Sequence, residues 1–390
     1  MIDESTLSFI PEHTDDDVRT LVLQASRYPN IDMRVVATQI EGHRMAMHKL
    51  PSWAAINGVV YPPRLSMEQC SSEITASYKA ALVSGNRLAD LTGGFGIDCS
   101  YMSGSFDETT YIERSKELCD IASHNFSLLG KHIQVMNGNS EEILATLPEQ
   151  NWIFIDPARR SKSGSKVVAL EDCEPNICQL ESLLLQKAPH VMIKCSPMLD
   201  ITLAIQQLPS VKEIHVVSVN NECKELLLIL DRESTTTIEI KTINFQGSQK
   251  QLFAYTNTEE EEAICMHTAQ LGRYLYEPNS SIMKAGCFRL LATRYGLSKL
   301  HRNSHLYTSD QLITDFPGRL FEVHDIYGFG KKEQKRLSTA ITKANLSIRN
   351  FPGTQDELRK RLKLADGGDI YLFATTLDDE AKVLVKCTKC

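Results

Sequence analysis

No apolar run in the 390-residue chain approaches the roughly 20 residues needed to cross a bilayer. The opening stretch MIDESTLSFIPEHTDDD lacks the basic-then-apolar layout of a signal peptide. A cytoplasmic protein with no membrane partner is the expectation. Internal repeats and low-complexity segments are also missing. The 11 cysteines are odd in number and scattered, and most, such as Cys119, Cys195 and Cys287, sit inside apolar segments. That pattern excludes a disulfide framework and suits reduced thiols filling core volume. Only Cys387 and Cys390 form a CxxC pair, short of the roughly four ligands of a zinc site. The 11 histidines show no HExxH spacing, so no metal is required.

What is present is an ordinary globular composition, 42% hydrophobic and 23% charged. The length makes two or three domains the expectation. A net charge of −7 argues against a protein that coats nucleic acid indiscriminately. The average hides an asymmetry: from Asn279 to Lys363 there are 16 Lys/Arg against 7 Asp/Glu, a balance of +9 that leaves −16 for the remainder. Such segregation can localise a polyanion on one lobe, or be the solvated face of a small domain.

Residues 1–84 read as helical, with Ser71 or Ser72 placed to cap SSEITASYKAALVSG and a Pro-rich connector, KLPSWAAINGVVYPPRLS, before it. From Asn86 short apolar runs (RLADL, TTYIE, HIQVM, WIFID, HVMIK) alternate with helical segments, which predicts a parallel sheet covered by helices. VKEIHVVSV and ECKELLLIL flank Asn220 and Asn221 as a hairpin. After the strands of TTTIEIKTINF, the acidic run Glu259 to Glu262 reads as a linker. Beyond it MKAGCFRLLATRYGLSKL looks helical and LFEVHDIYGF strand-like. The tail shows strand, helix, strand, helix, strand; its second helix opens on a Thr354/Glu357 capping box and stops at Gly367 and Gly368.

In open α/β sheets ligands sit beyond the carboxyl ends of the strands. The first strand ends in DLTGGFGID, where Gly93, Gly94 and Gly96 permit a tight turn and a close ligand. A carboxylate, Asp90, precedes the turn, which disfavours a dinucleotide phosphate and suits a cationic ligand. S-adenosylmethionine carries an ammonium and a sulfonium. Glu113 ends the second strand, 23 residues after Asp90, where an acid can hold both ribose hydroxyls. Asn139, after the third strand, is placed for an adenine edge.

DLTGGFGID, YIE, NGNS and IDPARR resemble the ordered motifs of class I adenosylmethionine-dependent methyltransferases. With EQCSSEITASYKA, IKCSPMLD and ECKELLL, the chain is most similar, roughly from Ser52 onward, to a bacterial family joining that domain to small ferredoxin-like and THUMP-like domains. The resemblance implies a Rossmann-like α/β domain with a mostly parallel seven-stranded sheet, a helical N-terminal region and small α+β C-terminal domains. The implied boundaries are 1–84, 85–256, 270–325 and 326–390. The positions equivalent to cofactor contacts are Asp90, Thr92, Gly94, Phe95, Gly96, Glu113 and Asn139. Thr92 stands where many class I enzymes have glycine.

The fourth strand delivers Asp156-Pro157 to where the methyl group should lie. An exocyclic base amine is a poor nucleophile because its lone pair is delocalised into the ring. A carboxylate and a backbone carbonyl accepting its hydrogens would localise and aim that lone pair. Pro157 fixes φ and offers no competing N–H. Amino-methyltransferases usually follow this dipeptide with proline and an aromatic that stacks on the base; here stand Ala158 and Arg159. Either Arg159 stacks on the base, or Arg159 and Arg160 hold phosphate; alternatively Asp156 simply pairs with one of these arginines. Lys194, with Ser196 and Pro197, can wall the same pocket and meet the RNA, though packing explains them equally. Cys195 beside the site reads as a buried spectator.

Lys331, Lys332, Lys335, Arg336, Arg349, Arg359, Lys360, Arg361 and Lys363 offer a sequence-blind grip on a phosphate backbone. The THUMP-like resemblance implies structured RNA, tRNA before rRNA. The expectation is a methyltransferase acting on an exocyclic or ring nitrogen of an RNA purine. Its rivals are an enzyme acting on DNA or a protein glutamine, and a non-catalytic RNA-binding protein that keeps a cofactor pocket.

Overall fold

The computed structural model describes residues 2–159, 170–233 and 237–390. The N-terminal segment folds into α1 (Glu4–Phe9), α2 (Val18–Leu23), α3 (Met33–Lys49), α4 (Pro51–Ala54), α5 (Arg64–Gln69) and α6 (Glu73–Ala80). Asp3, Asp17, Asp32 and Ser72 start four of these by accepting free backbone N–H groups. The apolar faces of α2 and α3 meet through Val18, Leu21, Met33, Val36 and Ile40. A second cluster joins Ala46, Leu50, Trp53, Tyr61, Met67 and Ala76 to Phe95 and Ile97. The helical region thus packs directly behind the DLTGGFGID turn.

The alternation from Gly85 onward forms β1 (Gly85–Asp90), α7 (Ile97–Met102), β2 (Phe106–Glu113), α8 (Lys116–Leu128), β3 (Gln134–Asn137), α9 (Ser140–Thr146) and β4 (Trp152–Ile155). A short antiparallel pair, β5 (Ala158–Arg159) and β6 (Cys173–Glu174), precedes α10 (Ile177–Lys187), β7 (His190–Cys195) and α11 (Ile201–Gln207). β8 (Val211–Val219), β9 (Glu222–Asp231), β10 (Glu239–Gln246) and β11 (Gln249–Thr256) follow. The sheet order is β11-β10-β8-β9-β7-β4-β1-β2-β3. β1 pairs in parallel with β2 and β4, β2 with β3, and β4 with β7. The chain therefore leaves β1 in one direction and returns to its other side at β4, the reversal that opens a ligand crevice.

Among the described residues, nine strands stand where seven were expected. The seven-strand pattern is extended by β10, parallel to β8, and β11, antiparallel to β10. The sequence reading missed β11 because QKQLFAYT opens on three polar residues; the turn at Gly247, φ 58°, closes the hairpin. The Asn220-Asn221 hairpin is as expected, with φ of 51° and 61°, the left-handed pair that a type I′ turn demands.

The chain clusters into two compact units, Met1–Lys212 with Leu227–Thr235, and Glu213–Leu226 with Thr236–Cys390. The second contains α12 (Asn257–Glu262), β12 (Tyr274–Pro278), α13 (Ser280–Ala285), α14 (Arg289–Tyr295), β13 (Ser298–Lys299), β14 (Tyr307–Ser309) and β15 (Gly318–Gly328). It ends with α15 (Lys331–Ala340), β16 (Asn345–Arg349), α16 (Gln355–Leu362), β17 (Ile370–Thr376) and β18 (Lys382–Lys389). Its own sheet runs β13-β14-β12-β15-β18-β17-β16. Leu337, Leu346, Leu358, Leu362, Leu372 and Leu384 seal α15 and α16 onto it.

Four local expectations differ from this unit. The acidic run is helix α12, opened by a Thr256/Glu259 capping box. Glu260 then accepts the backbone N–H groups of Phe288, Arg289 and Leu290 at 2.8–3.1 Å, so the run is a packed joint. The single helix read over MKAGCFRLLATRYGLSKL is two, broken where Gly286 turns left-handed at φ 79°. The Thr354/Glu357 box is present, but α16 stops at Lys363, φ 55°, before Gly367: burying Leu364 draws the chain inward first. β18 was not anticipated; it carries the buried Cys387, whose thiol burial pushes up to about 12.

Candidate active site at the carboxyl ends of the parallel strands

The parallel register aligns the expected site residues. Asp90 pairs with Tyr111 on β2 and Phe154 on β4, Glu113 with Asn137 on β3, and Ile155 with Ile193 on β7. Asp90, Glu113, Asp156 and Lys194 thus stand at one edge of one sheet.

The glycine turn is held from both sides. Gly94, at φ 53°, donates its N–H to Glu113 Oε2 at 3.0 Å, and its carbonyl accepts the Tyr111 hydroxyl at 2.6 Å. A Cβ at Gly94 would meet only the Thr92 carbonyl, at 3.9 Å, so the outer side of the turn is open. At Gly96, φ 85°, a Cβ would strike Phe126 at 2.7 Å, which restricts the position to glycine. Phe95 points away from this open side: it is buried against Trp53, ring centroids 5.3 Å apart, leaving only its backbone at the turn.

Asp90 is buried and accepts the Thr92 N–H at 3.0 Å. Burial, with the carboxylates of Asp98, Asp156 and Glu113 nearby, raises its pKa well above the ordinary range. Glu113 Oε1 also accepts the Ser115 N–H at 2.8 Å, which fixes the carboxylate at the strand end. Asn139 caps α9, its Oδ1 accepting from Glu141 and Glu142 at 2.8 and 3.3 Å. Asn137 bridges the carbonyls of Glu113 and Arg114.

At the end of β4 the Asp156 N–H reaches Thr92 Oγ1 at 2.6 Å, which ties that strand to the glycine turn. The Asp156 carboxylate binds Lys194 Nζ at 2.5 Å. Lys194 is only 11% exposed, and its Nζ lies 3.7 Å from Asp98 Oδ2. Asp98 in turn pairs with the fully buried Lys79 at 3.2 Å and accepts the Ser71 hydroxyl at 2.7 Å. Burial opposes ionisation of Asp98, but Lys79, Lys194 and Ser71 outweigh it and hold the pKa below its ordinary value. Cys195 is buried and its thiol pKa is raised well above the usual range, so no thiolate nucleophile stands here.

The sequence reading missed Asp98, Lys79 and Ser71. A signal existed: Lys79 follows Thr75 and Ala76 on the buried face of α6, and a lysine there needs a partner. Arg160 and the basic loop after it lie outside the described residues, and of Arg159 only the backbone is described. In the second unit, Lys331, Lys332, Lys335, Lys360 and Lys363 are exposed. Arg336 pairs with Glu333, Arg359 with Asp366, and Arg361 with Gln334. Arg349 Nη2 binds Glu277 Oε1 at 2.8 Å, and Arg319 holds the same buried carboxylate.

Four carboxyl groups, Asp90, Asp98, Glu113 and Asp156, meet two ammonium groups, Lys79 and Lys194, at this strand edge. A cationic ligand would offset the crowding of carboxyl groups around Asp90, and a ribose diol fits the fixed Glu113 carboxylate. Asp90, Gly94, Gly96 and Glu113 are therefore the residues that would hold adenosylmethionine.

The sheet order, the glycine turn and these strand-end acids define a class I methyltransferase domain. Residues 274–317 match a ferredoxin-like domain model, and residues 318–389 a THUMP domain-like model. The whole chain is 36% identical to a Porphyromonas gingivalis W83 protein whose crystal structure is described as that of a candidate methyltransferase. The two superpose with a TM-score of 0.92, each chain covered at 100%. An uncharacterized S-adenosylmethionine-dependent methyltransferase of Mycobacterium tuberculosis (strain H37Rv) is 23% identical over 314 residues, 80% of this chain and 83% of that protein. The chain belongs to the bacterial family of class I S-adenosylmethionine-dependent methyltransferases that carry C-terminal ferredoxin-like and THUMP-like domains. Among the described residues no helix is long and apolar enough to cross a membrane.

Proposed function

We propose that this cytoplasmic enzyme methylates a purine nitrogen, preferably an exocyclic amine, in structured RNA, with tRNA favoured over rRNA. The observation that carries the reading is the 2.6 Å bond from the Asp156 N–H to the Thr92 hydroxyl. It ties the Asp156 backbone to the glycine turn, beside which a carboxylate and a proline carbonyl would accept the hydrogens of an aromatic amine and direct its lone pair. Adenosylmethionine supplies the electrophilic methyl group. Asp90 and the glycine turn would hold its amino-acid part, Glu113 its ribose, and Asn139 would serve its adenine edge. Asp156 and the Pro157 carbonyl accept the two amine hydrogens, bonds that strengthen as the nitrogen becomes tetrahedral. The base must be unpaired or flipped out to reach this edge.

The THUMP-like match supports RNA as the acceptor, and the exposed lysines of α15 and α16 offer the phosphate contacts. The test is transfer of labelled methyl to total nucleic acid and protein from a strain lacking the gene. Label should be lost on RNase treatment and survive DNase and protease. Asp156→Ala should abolish transfer while adenosylmethionine binding persists. Nucleoside mass spectrometry of the deletion strain should then show one missing methylated purine.

A further inference from the structure

We propose that Lys194 is a positioning residue for methyl transfer, braced by the buried Asp98–Lys79 pair so that it holds the Asp156 carboxylate in the orientation the acceptor nitrogen meets. The inference rests on the reading of Asp156 given above and extends it to Lys79 of α6 and Asp98 of α7.

Its basis is the order of burial along a chain of charges. Lys79 is fully buried, Asp98 is 10% exposed at the side chain, Lys194 11% and Asp156 39%. A lysine serving as a phosphate contact would place its ammonium outermost. Here the ammonium lies beneath the carboxylate and the carboxylate faces out. The backbone sets this up: Ile155 and Ile193 are paired across β4 and β7, so Asp156 and Lys194 leave adjacent strands at the same level. Lys194 Nζ is 2.5 Å from Asp156 Oδ2 and 3.7 Å from Asp98 Oδ2. Asp98 is itself anchored by Lys79 at 3.2 Å and by the Ser71 hydroxyl at 2.7 Å. Burying such a chain is costly, and replacing buried ion pairs with apolar residues is often neutral or stabilising. Stability alone therefore explains it poorly, whereas fixed placement of the outermost carboxylate explains why each inner charge is there. Asp98 braces Lys194 from beneath while Lys79 balances its charge; without Lys79 the unbalanced carboxylate would draw Lys194 away from Asp156.

The experiment measures methyl transfer to bulk tRNA and rRNA from a strain lacking the gene, with adenosylmethionine binding and melting temperature recorded for each variant. Lys194→Met should lower kcat about 100-fold, the scale of a misplacement near 1 Å, with KM for RNA and Kd for adenosylmethionine within threefold. Lys79→Met should also lower kcat, and Lys79→Met combined with Asp98→Asn should recover at least tenfold of that loss, because the competing carboxylate charge is gone. A Lys194→Met enzyme with raised KM and unchanged kcat would make Lys194 a phosphate contact and overturn the proposal. So would a fall in kcat matched by lost adenosylmethionine binding, or a double variant no better than Lys79→Met. If Lys194→Met does not fold, the comparison at Lys79 and Asp98 decides the matter. Wild-type protein that transfers no methyl to either RNA fails the reading of function itself, and the positioning role with it.

Discussion

The Thr92 hydroxyl accepts the backbone N–H of Asp156 at 2.6 Å, so one side chain from the glycine turn sets the entry of the chain into the Asp156-Pro157 dipeptide. Many class I enzymes have glycine at this position, which cannot make the bond. Thr92→Val removes the acceptor at nearly constant volume and leaves a backbone donor unpaired, at a cost of about 1–3 kcal/mol. kcat should fall about 10-fold or more, and Thr92→Ser should retain most of it, as read by methyl incorporation.

With Asp90 as the proposed contact for the cofactor's ammonium, affinity should depend on pH. Its pKa in the free protein is raised by burial and by neighbouring carboxylates, while a cationic ligand favours the ionised form. Adenosylmethionine binding should therefore release a proton, and affinity should climb as pH rises through the elevated pKa and then level off. Titration calorimetry in two buffers of different ionisation enthalpy checks this.

The same group has a stability signature. A carboxyl whose folded pKa exceeds its unfolded value contributes stability below the unfolded pKa, and that contribution is lost as pH rises through the folded one. Ligand-free protein should therefore lose stability over that window, and Asp90→Asn should remove the loss while abolishing tight cofactor binding. Thermal melts across pH, with and without adenosylmethionine, separate the two effects.

Arg349, an expected RNA contact, shares the buried Glu277 with Arg319. Glu277→Ala leaves two arginines facing a carboxylate that is gone. It should destabilise toward the lower end of the about 3–5 kcal/mol seen when buried pairs are broken, since both arginines are partly exposed. Denaturant titration should show a loss for Arg349→Ala as well.

The exposed Lys331, Lys332 and Lys360 should behave differently. Replacing each by alanine should leave the melting temperature unchanged, weaken RNA binding irrespective of sequence, and reduce the slope of log affinity against log salt by about 1 per residue. Filter binding across ionic strength gives that slope.

Where a local rule carried the information, the fold was legible. The alternation from Asn86, the Asn220-Asn221 turn and the Thr354/Glu357 box follow from period, left-handed φ and reciprocal capping. The acidic residues after Thr256 were misread because charge density resembles a linker, whereas Glu260 has three backbone donors to satisfy 28–30 residues away. In the site, the strand-end acids could be found because each ends an apolar run. The Ser71–Lys79–Asp98–Lys194 chain could not be assembled, because it joins a loop residue, two helices and a strand whose proximity only the folded sheet creates. Lys79 alone announced itself, as a charge on an apolar face.

The Glu260 cap also governs how this polypeptide can be divided for study. A fragment begun just after Glu262 would strip the three backbone donors of Phe288, Arg289 and Leu290 of their acceptor and omit Ala254, to which Arg294 is bound. The C-terminal half is better expressed from a start upstream of Glu239, carrying β10, β11 and α12 with it. A cut chosen by domain boundaries alone would fall on the wrong side of its own fastening.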